Sequence, residues 1–154
     1  METPTITTEE NATAAAAPTA GKPSSDSQVK APTIGIFDSG VGGFTVAGAI
    51  LRERPDLNLV YFGDTLNMPY GERSLEQLRR FASRAIEFLI GQGTDILAVG
   101  CNASNSALGQ SELRSCSRPV CDLVTSTVDW LRSHPTPPQS LALGGTVATI
   151  RSGY

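Results

Sequence analysis

The segment ILAVGCNASNSAL (96–108) places a thiol where a buried strand is expected to end. Cys101 follows an apolar run, and a helical pattern begins at about residue 104. The N-terminus of a helix carries partial positive charge, which favours the reactive thiolate form of a nearby cysteine. Cys101 could therefore serve as a base or a nucleophile, with Asn102 beside it as a hydrogen-bonding group. The common alternative for such a cysteine is a small buried hydrophobic side chain.

Further polar side chains follow two other predicted strands. Asp38 and Ser39 come after TIGIF, and Asp64 comes after LNLVYF, before a loop that carries Tyr70 and Gly71. Asp38 and Ser39 also have a simpler interpretation as caps of the following helix, and Asp64 as a cap of its own loop. In a parallel sheet, however, the carboxyl ends of the strands meet at one edge, where ligands bind. The sequence therefore predicts a site at this edge, with carboxylates that suit an ammonium group.

The elements that would position these residues alternate between strand and helix. This alternation predicts an α/β fold, a parallel sheet with helices on both faces. The helix over 74–93 has the clearest pattern, with a capping box at Ser74 and Gln77 and an apolar face from Leu75 to Leu89. The predicted strands are 33–38, 57–62, 95–100, 118–124 and 140–145, and the other predicted helices are 44–54, 104–113 and 126–134.

The turn Gly40-x-Gly42-x-x-Thr45 is similar to the dinucleotide-binding fingerprint, and Asp64 lies where a ribose-binding acid would be. Asp38 argues against that function, because its carboxylate would lie beside a pyrophosphate at a helix N-terminus. A tight strand-to-helix turn explains the glycines without a nucleotide.

Composition excludes several classes of function. The net charge is -3 and no Lys/Arg cluster is present, which argues against nucleic-acid binding. No run approaches the roughly 18 apolar residues of a membrane span. The three cysteines, with no secretion signal, predict a reducing cytoplasm and match no zinc spacing. His134 lies in a turn-rich connector, so no metal site is predicted. Residues 1–32 contain few large apolar side chains and are predicted to be disordered.

Four segments together resemble glutamate racemase, of the cofactor-independent aspartate/glutamate racemase superfamily. They are IGIFDSGVGGFT (34–45), LVYFGDTLNMPYGERS (59–74), GCN (100–102) and GTVATIRSGY (145–154). The resemblance implies two similar α/β lobes with the site between them, no cofactor, and D-glutamate made for peptidoglycan. It makes 33–135 the first lobe and 136–154 the start of a second lobe. The chain would then be an N-terminal part, inactive alone, of an enzyme that is a homodimer when complete.

The resemblance also implies a role for each matching residue. Two cysteines act on opposite faces of the α-carbon, and Cys101 matches the first, while a Cys-Thr-His element of the second lobe supplies the other. The positions that match substrate contacts are Asp38, Ser39, Tyr70, Gly71, Asn102, Ala103, Thr146 and Thr149.

Two departures from the family pattern leave alternatives open. Ala103 stands where the family has Thr, so a substrate-binding hydroxyl is missing unless Ser104 supplies it. CDLVTS (121–126) also differs from the usual acid followed by Pro. One alternative is a related racemase for aspartate or a hydantoin. Another is a non-catalytic remnant that binds an amino acid or a partner.

Overall fold

A computed structural model describes residues 30–136 and 138–153, so the predicted disorder of 1–29 lies outside the described residues. Four parallel strands form one sheet in the order β2-β1-β3-β4. The strands are β1 (Thr33–Asp38), β2 (Asn58–Gly63), β3 (Ile96–Val99) and β4 (Val120–Asp122). This arrangement confirms the predicted α/β fold with a parallel sheet.

The register brings the four strand ends to one edge. Asp38 pairs with Gly63, Phe37 pairs with Val99, and Val99 pairs with Asp122. The two central strands carry the most buried side chains, because each has a neighbour on both sides. The residues that follow β1, β2 and β3 therefore emerge close together, as the sequence predicted.

Five α-helices and two short 3-10 turns connect or follow the strands. The helices are α1 (Phe44–Glu53), α2 (Leu75–Gly91), α3 (Asn102–Arg114), α4 (Leu123–Ser133) and α5 (Val147–Ser152), and the 3-10 turns are Thr65–Asn67 and Tyr70–Glu72. None of the helices in the described ranges is long and apolar enough to cross a bilayer.

Helix α2 shows how the sequence specifies its own packing. The Ser74 hydroxyl accepts from the amide of Gln77, whose side chain accepts from the amide of Ser74, which confirms the predicted capping box. The apolar face is confirmed by the burial of Leu78, Ala82, Ala85 and Leu89. Leu75, in the first turn, is instead 40% exposed. The buried face of α2 packs against β1, on the side of the sheet that carries Gly35.

The predicted strand over 140–145 is wrong. Residues 138–146 have no regular structure, and Leu141 and Leu143 are 69% and 82% exposed. The segment pairs with neither edge strand, β2 or β4, so within the described residues no strand receives its backbone hydrogen bonds. Helix α5, which follows it, packs against α3 and the 3-10 turn at Tyr70.

Candidate functional site

The turn from β1 to α1 is closed by a carboxylate. Asp38 is 5% exposed, and its Oδ2 accepts hydrogen bonds from the amides of Gly40 (3.0 Å) and Gly43 (3.1 Å). Ser39 lies half-buried beside it. Because Asp38 occupies amides that a phosphate group would need, the turn does not match a dinucleotide site. The carboxylate closes the turn, whereas no side chain in the described residues caps α1, whose N-cap residue is Gly43.

The loop after β2 is organised around a second buried carboxylate. Asp64 accepts from the Tyr70 hydroxyl at 2.6 Å and from the Asn67 side-chain amide, which reaches both carboxylate oxygens at 2.9 and 2.8 Å. The bond to Asp64 holds Tyr70 in the core, where the centroids of the Tyr70 and Phe81 rings are 5.8 Å apart. Burial raises the pKa of Tyr70, and the hydrogen bond and charge of Asp64 raise it further. Asp64 therefore holds the loop after β2 through its hydrogen bonds with Asn67 and Tyr70.

Cys101 occupies the turn between β3 and α3. It is the N-cap residue of α3, is 5% exposed, and packs in the same core cluster as Tyr70. Its side chain makes no capping hydrogen bond within the described chain. The amide of Gly100 donates to the Phe37 carbonyl at 2.8 Å, which ties this turn to the end of β1.

Packing brings the two turns next to each other. An added Cβ at Gly100 would lie 3.5 Å from the Cα of Gly43 and 3.4 Å from the Phe37 carbonyl oxygen, so the β3–α3 turn adjoins the β1–α1 turn. Tyr70 and Cys101 belong to one buried core cluster. Burial raises the pKa of Tyr61, and the charge of Asp38 adds to this rise.

The residues after Cys101 divide between the surface and the core. Asn102 is exposed, whereas Ala103 is buried at 5%. Ser104 is fully buried, and its Oγ has no partner in the described chain. Because α3 begins at Asn102 and not at residue 104, Ser104 points into the core, so it does not replace the hydroxyl missing at Ala103.

A second group of predicted residues adjoins this cluster through helix α5. The Thr146 hydroxyl accepts from the amide of Thr149 at 3.2 Å and lies 3.0 Å from the Thr149 hydroxyl. The methyl group of Thr146 packs over Gly71, where an added Cβ would lie 3.4 Å from it. Ala148, between them, packs against the core cluster of Tyr70 and Cys101. A groove of about 300 Å³ lies beside this contact and is lined by residues of α5 and of the 3-10 turn at Tyr70.

Sequence reasoning missed two residues that shape the site, Tyr61 and Asn67. The Tyr61 hydroxyl donates to the Gly40 carbonyl at 2.8 Å, so it closes the β1–α1 turn from the neighbouring strand. Its position two residues before the end of β2 is the sequence feature that could have indicated this role. Asn67 follows Asp64 by three residues, a spacing at which an amide can reach a carboxylate across a turn.

The other cysteines lie in different surroundings. Cys121 is exposed, pairs in register with Ala98, and contacts the Ser126 hydroxyl at 3.4 Å. Cys116 is half-buried after the end of α3. Within 30–136 and 138–153, no group of three or more His, Cys, Asp or Glu side chains could hold a metal ion.

Comparisons with known proteins confirm the predicted resemblance. Glutamate racemase from Thermus thermophilus is 41% identical over 124 residues, which cover 80% of this chain and 46% of that protein. Its crystal structure in complex with β-chloro-D-alanine matches with a TM-score of 0.72 at 41% identity, again over 80% of this chain and 46% of that one. Glutamate racemase from Francisella tularensis, in complex with D-glutamate, matches with a TM-score of 0.67 at 29% identity and the same coverage of both chains.

No family model matches the chain. The relatives are named glutamate racemases, which are amino-acid isomerases. The chain spans about half the length of the curated relatives it matches, here 46% of the Thermus protein. The similarity thus extends over one part of each of those relatives.

Proposed function

We propose that this chain forms the first lobe of a glutamate racemase, in which Cys101 exchanges the α-proton of the substrate. The observation that carries the proposal is the placement of Cys101. Its buried thiol caps no helix amide within the described chain, it shares a core cluster with Tyr70, and its turn adjoins the turn that Asp38 closes. The similarity to glutamate racemases over 80% of the chain supports the choice of substrate.

The reaction step follows from the chemistry of an α-carbon. The Cys101 thiolate removes the α-proton and becomes a thiol, and the electron pair of the C–H bond remains on carbon. Because an α-proton is very weakly acidic, the base must be close, aligned and shielded from water. The 5% exposure of Cys101 meets the last condition. Amide donors at the start of α3 would stabilise the developing negative charge without a cofactor.

The remaining predicted residues would orient the substrate. Both amides of the β1–α1 turn bond to Oδ2 of Asp38, and we assign Oδ1 to the substrate ammonium group. Ser39, Gly71 and Asn102 lie at the edge, where hydroxyl and amide donors suit a carboxylate. Thr146 and Thr149 would reach the same substrate from α5, whose N-terminus adjoins Gly71.

Inversion needs a second acid on the opposite face of the carbon. Cys116 and Cys121 lie in other surroundings, so we assign this acid to a second lobe that starts near residue 136. The match covers only 46% of the Thermus relative, which supports a second lobe in the complete protein. The complete protein would form a dimer in the cytoplasm and supply D-glutamate for peptidoglycan, and residues 1–154 alone would not racemise.

The test joins residues 1–154 to the remaining half of the Thermus relative and measures D-glutamate formation from L-glutamate. Cys101→Ala is expected to lower the rate by about 10²–10⁴-fold, because general acid–base groups contribute factors of this size. Cys116→Ala is the matched control and should leave the rate unchanged. Full activity of the Cys101→Ala protein would refute the assigned role.

Ala103 favours a second candidate, an amino-acid-binding module without catalysis. The missing hydroxyl would cost a charged ligand about 1.5–3 kcal/mol of binding free energy. This module would bind glutamate in the joined protein but exchange no α-deuterium into solvent. Activity with aspartate in place of glutamate would instead identify a related racemase.

A further inference from the structure

Asn105 is a fully buried residue that contacts the Cys101 turn at two points. Its backbone amide donates to the Cys101 carbonyl at 3.0 Å, the first hydrogen bond of α3. Its side-chain Nδ2 donates to the Val99 carbonyl, also at 3.0 Å. One residue thus fastens the chain immediately before Gly100 and again at Cys101.

Stability alone does not explain an asparagine at this position. The side chain is 0% exposed, and its Oδ1 has no hydrogen-bond partner in the described chain. A buried polar atom without a partner is destabilising, and an apolar side chain of similar size would avoid that penalty. The bond from Nδ2 to Val99 is the interaction that only a donor can make.

A hydrogen bond to the Val99 carbonyl restricts the position of the Cys101 thiol. Val99 ends β3, and only Gly100 separates it from Cys101. The amide of Gly100 is held by the Phe37 carbonyl, and the carbonyl of Cys101 is held by the amide of Asn105. With the Asn105 side chain on Val99, the backbone on both sides of the thiol is fixed to neighbouring elements.

We infer that Asn105 is a positioning residue, which holds the Cys101 turn so that the thiol stays at the N-terminus of α3. It acts through Cys101 and not on the substrate. The inference rests on the proposed function, since it assigns Asn105 a part in the reactivity of that thiol.

The experiment measures alkylation of Cys101 by iodoacetamide in residues 1–154, with Cys116→Ser and Cys121→Ser removing the other thiols. Asn105→Leu is expected to slow alkylation near neutral pH by about threefold or more, because the thiol leaves the helix N-terminus that favours the thiolate. The urea midpoint of unfolding is measured in parallel, so that a loosened core is recognised by a lower midpoint. A purely structural role predicts the opposite sign, since a looser core would expose the thiol and speed up the reaction.

Ser104→Ala is the matched control, because Ser104 is also buried with an unpartnered oxygen but makes no bond to the turn. It should leave the alkylation rate unchanged. If Asn105→Leu does not fold, Asn105→Ala gives the same comparison. Unchanged or faster alkylation in a folded Asn105 variant would overturn the inference alone. Absence of any alkylation in the folded parent protein would instead count against the proposed function.

Discussion

Two strand-to-helix turns lie side by side at the carboxyl edge of the sheet and are built in opposite ways. In the β1–α1 turn, the Asp38 carboxylate accepts from two amides of the turn itself. In the β3–α3 turn, Cys101 occupies the N-cap position and its side chain makes no capping bond in the described chain. The two turns begin at the same position along the strand direction, because Phe37 of β1 pairs with Val99 of β3.

The difference separates a turn that its side chain closes with hydrogen bonds from a turn whose side chain makes no capping bond. The first turn satisfies its own donors, as a protein turn usually does. The second places a thiol where a capping oxygen would stabilise the helix, so helix stability does not account for Cys101. Removing the central side chain of the first turn should therefore affect stability, and removing that of the second should affect chemistry.

The largest effect on stability is expected from Asp38→Ala. This variant leaves the amides of Gly40 and Gly43 without their acceptor, and hydrogen bonds to charged groups contribute about 1.5–3 kcal/mol each. We expect the free energy of unfolding in urea to fall by about 3 kcal/mol. Asp38→Asn keeps an acceptor oxygen and should lose less. A parent-like urea midpoint for Asp38→Ala would show that the first turn is not closed by this carboxylate.

The next effect tests how tightly the first turn is packed. An added Cβ at Gly43 would lie 2.7 Å from the Cβ of Asp38 and 3.1 Å from the Tyr61 ring. Gly43→Ala is therefore expected to lower the free energy of unfolding by about 2 kcal/mol, a typical cost of overpacking. At Gly42 the added Cβ would lie 3.6 Å from Asp38 Oδ2, an ordinary contact. Gly42→Ala is the matched control, and equal losses in both variants would contradict the packing argument.

Tyr70, in the loop after β2, supplies a pH-dependent effect. Its pKa is raised in the folded state, by burial and by Asp64, so folding favours the neutral phenol. The stability that this preference contributes is fully present below about pH 10, the pKa of tyrosine in the unfolded chain. It is lost as the pH rises above that value, at up to about 1.4 kcal/mol per pH unit.

Tyr70→Phe should remove that dependence, so the difference in unfolding free energy between parent and variant should shrink from neutral pH to high pH. At neutral pH the variant should lose about 1 kcal/mol with the bond to Asp64. Urea unfolding across this range is the measurement. A constant difference at every pH would show that Tyr70 ionises alike in both states.

The sequence predicted the parts of this comparison that depend on periodicity. Strand and helix patterns predicted the parallel sheet, and the sheet brings the ends of β1, β2 and β3 to one edge. The capping box at Ser74 and Gln77 was also visible, because it is local.

The parts that failed depend on contacts between distant residues. The segment 140–145 has a strand-like composition, but a strand needs a neighbour, and composition does not supply one. The start of α3 fell two residues earlier than the apolar pattern indicated, which moved Ser104 from the site into the core. The hydrogen bonds of Asp64 in its loop and the bond from Asn105 to Val99 could not be predicted, because they depend on loop geometry that no short sequence pattern encodes.

The smallest expected effect on stability is that of Cys101→Ala. The substitution removes one buried sulfur atom from a side chain that makes no capping bond in the described chain, so only its packing is lost. We expect the free energy of unfolding in urea to fall by less than about 1 kcal/mol, close to the value of one buried methylene group. A loss as large as that of Asp38→Ala would give both turns the same structural role. A small loss, together with the loss of racemisation in the joined protein, would mean that Cys101 contributes reactivity and little stability. Cys101→Ser separates size from chemistry, because it keeps a polar atom of nearly the same volume but offers no thiolate near neutral pH.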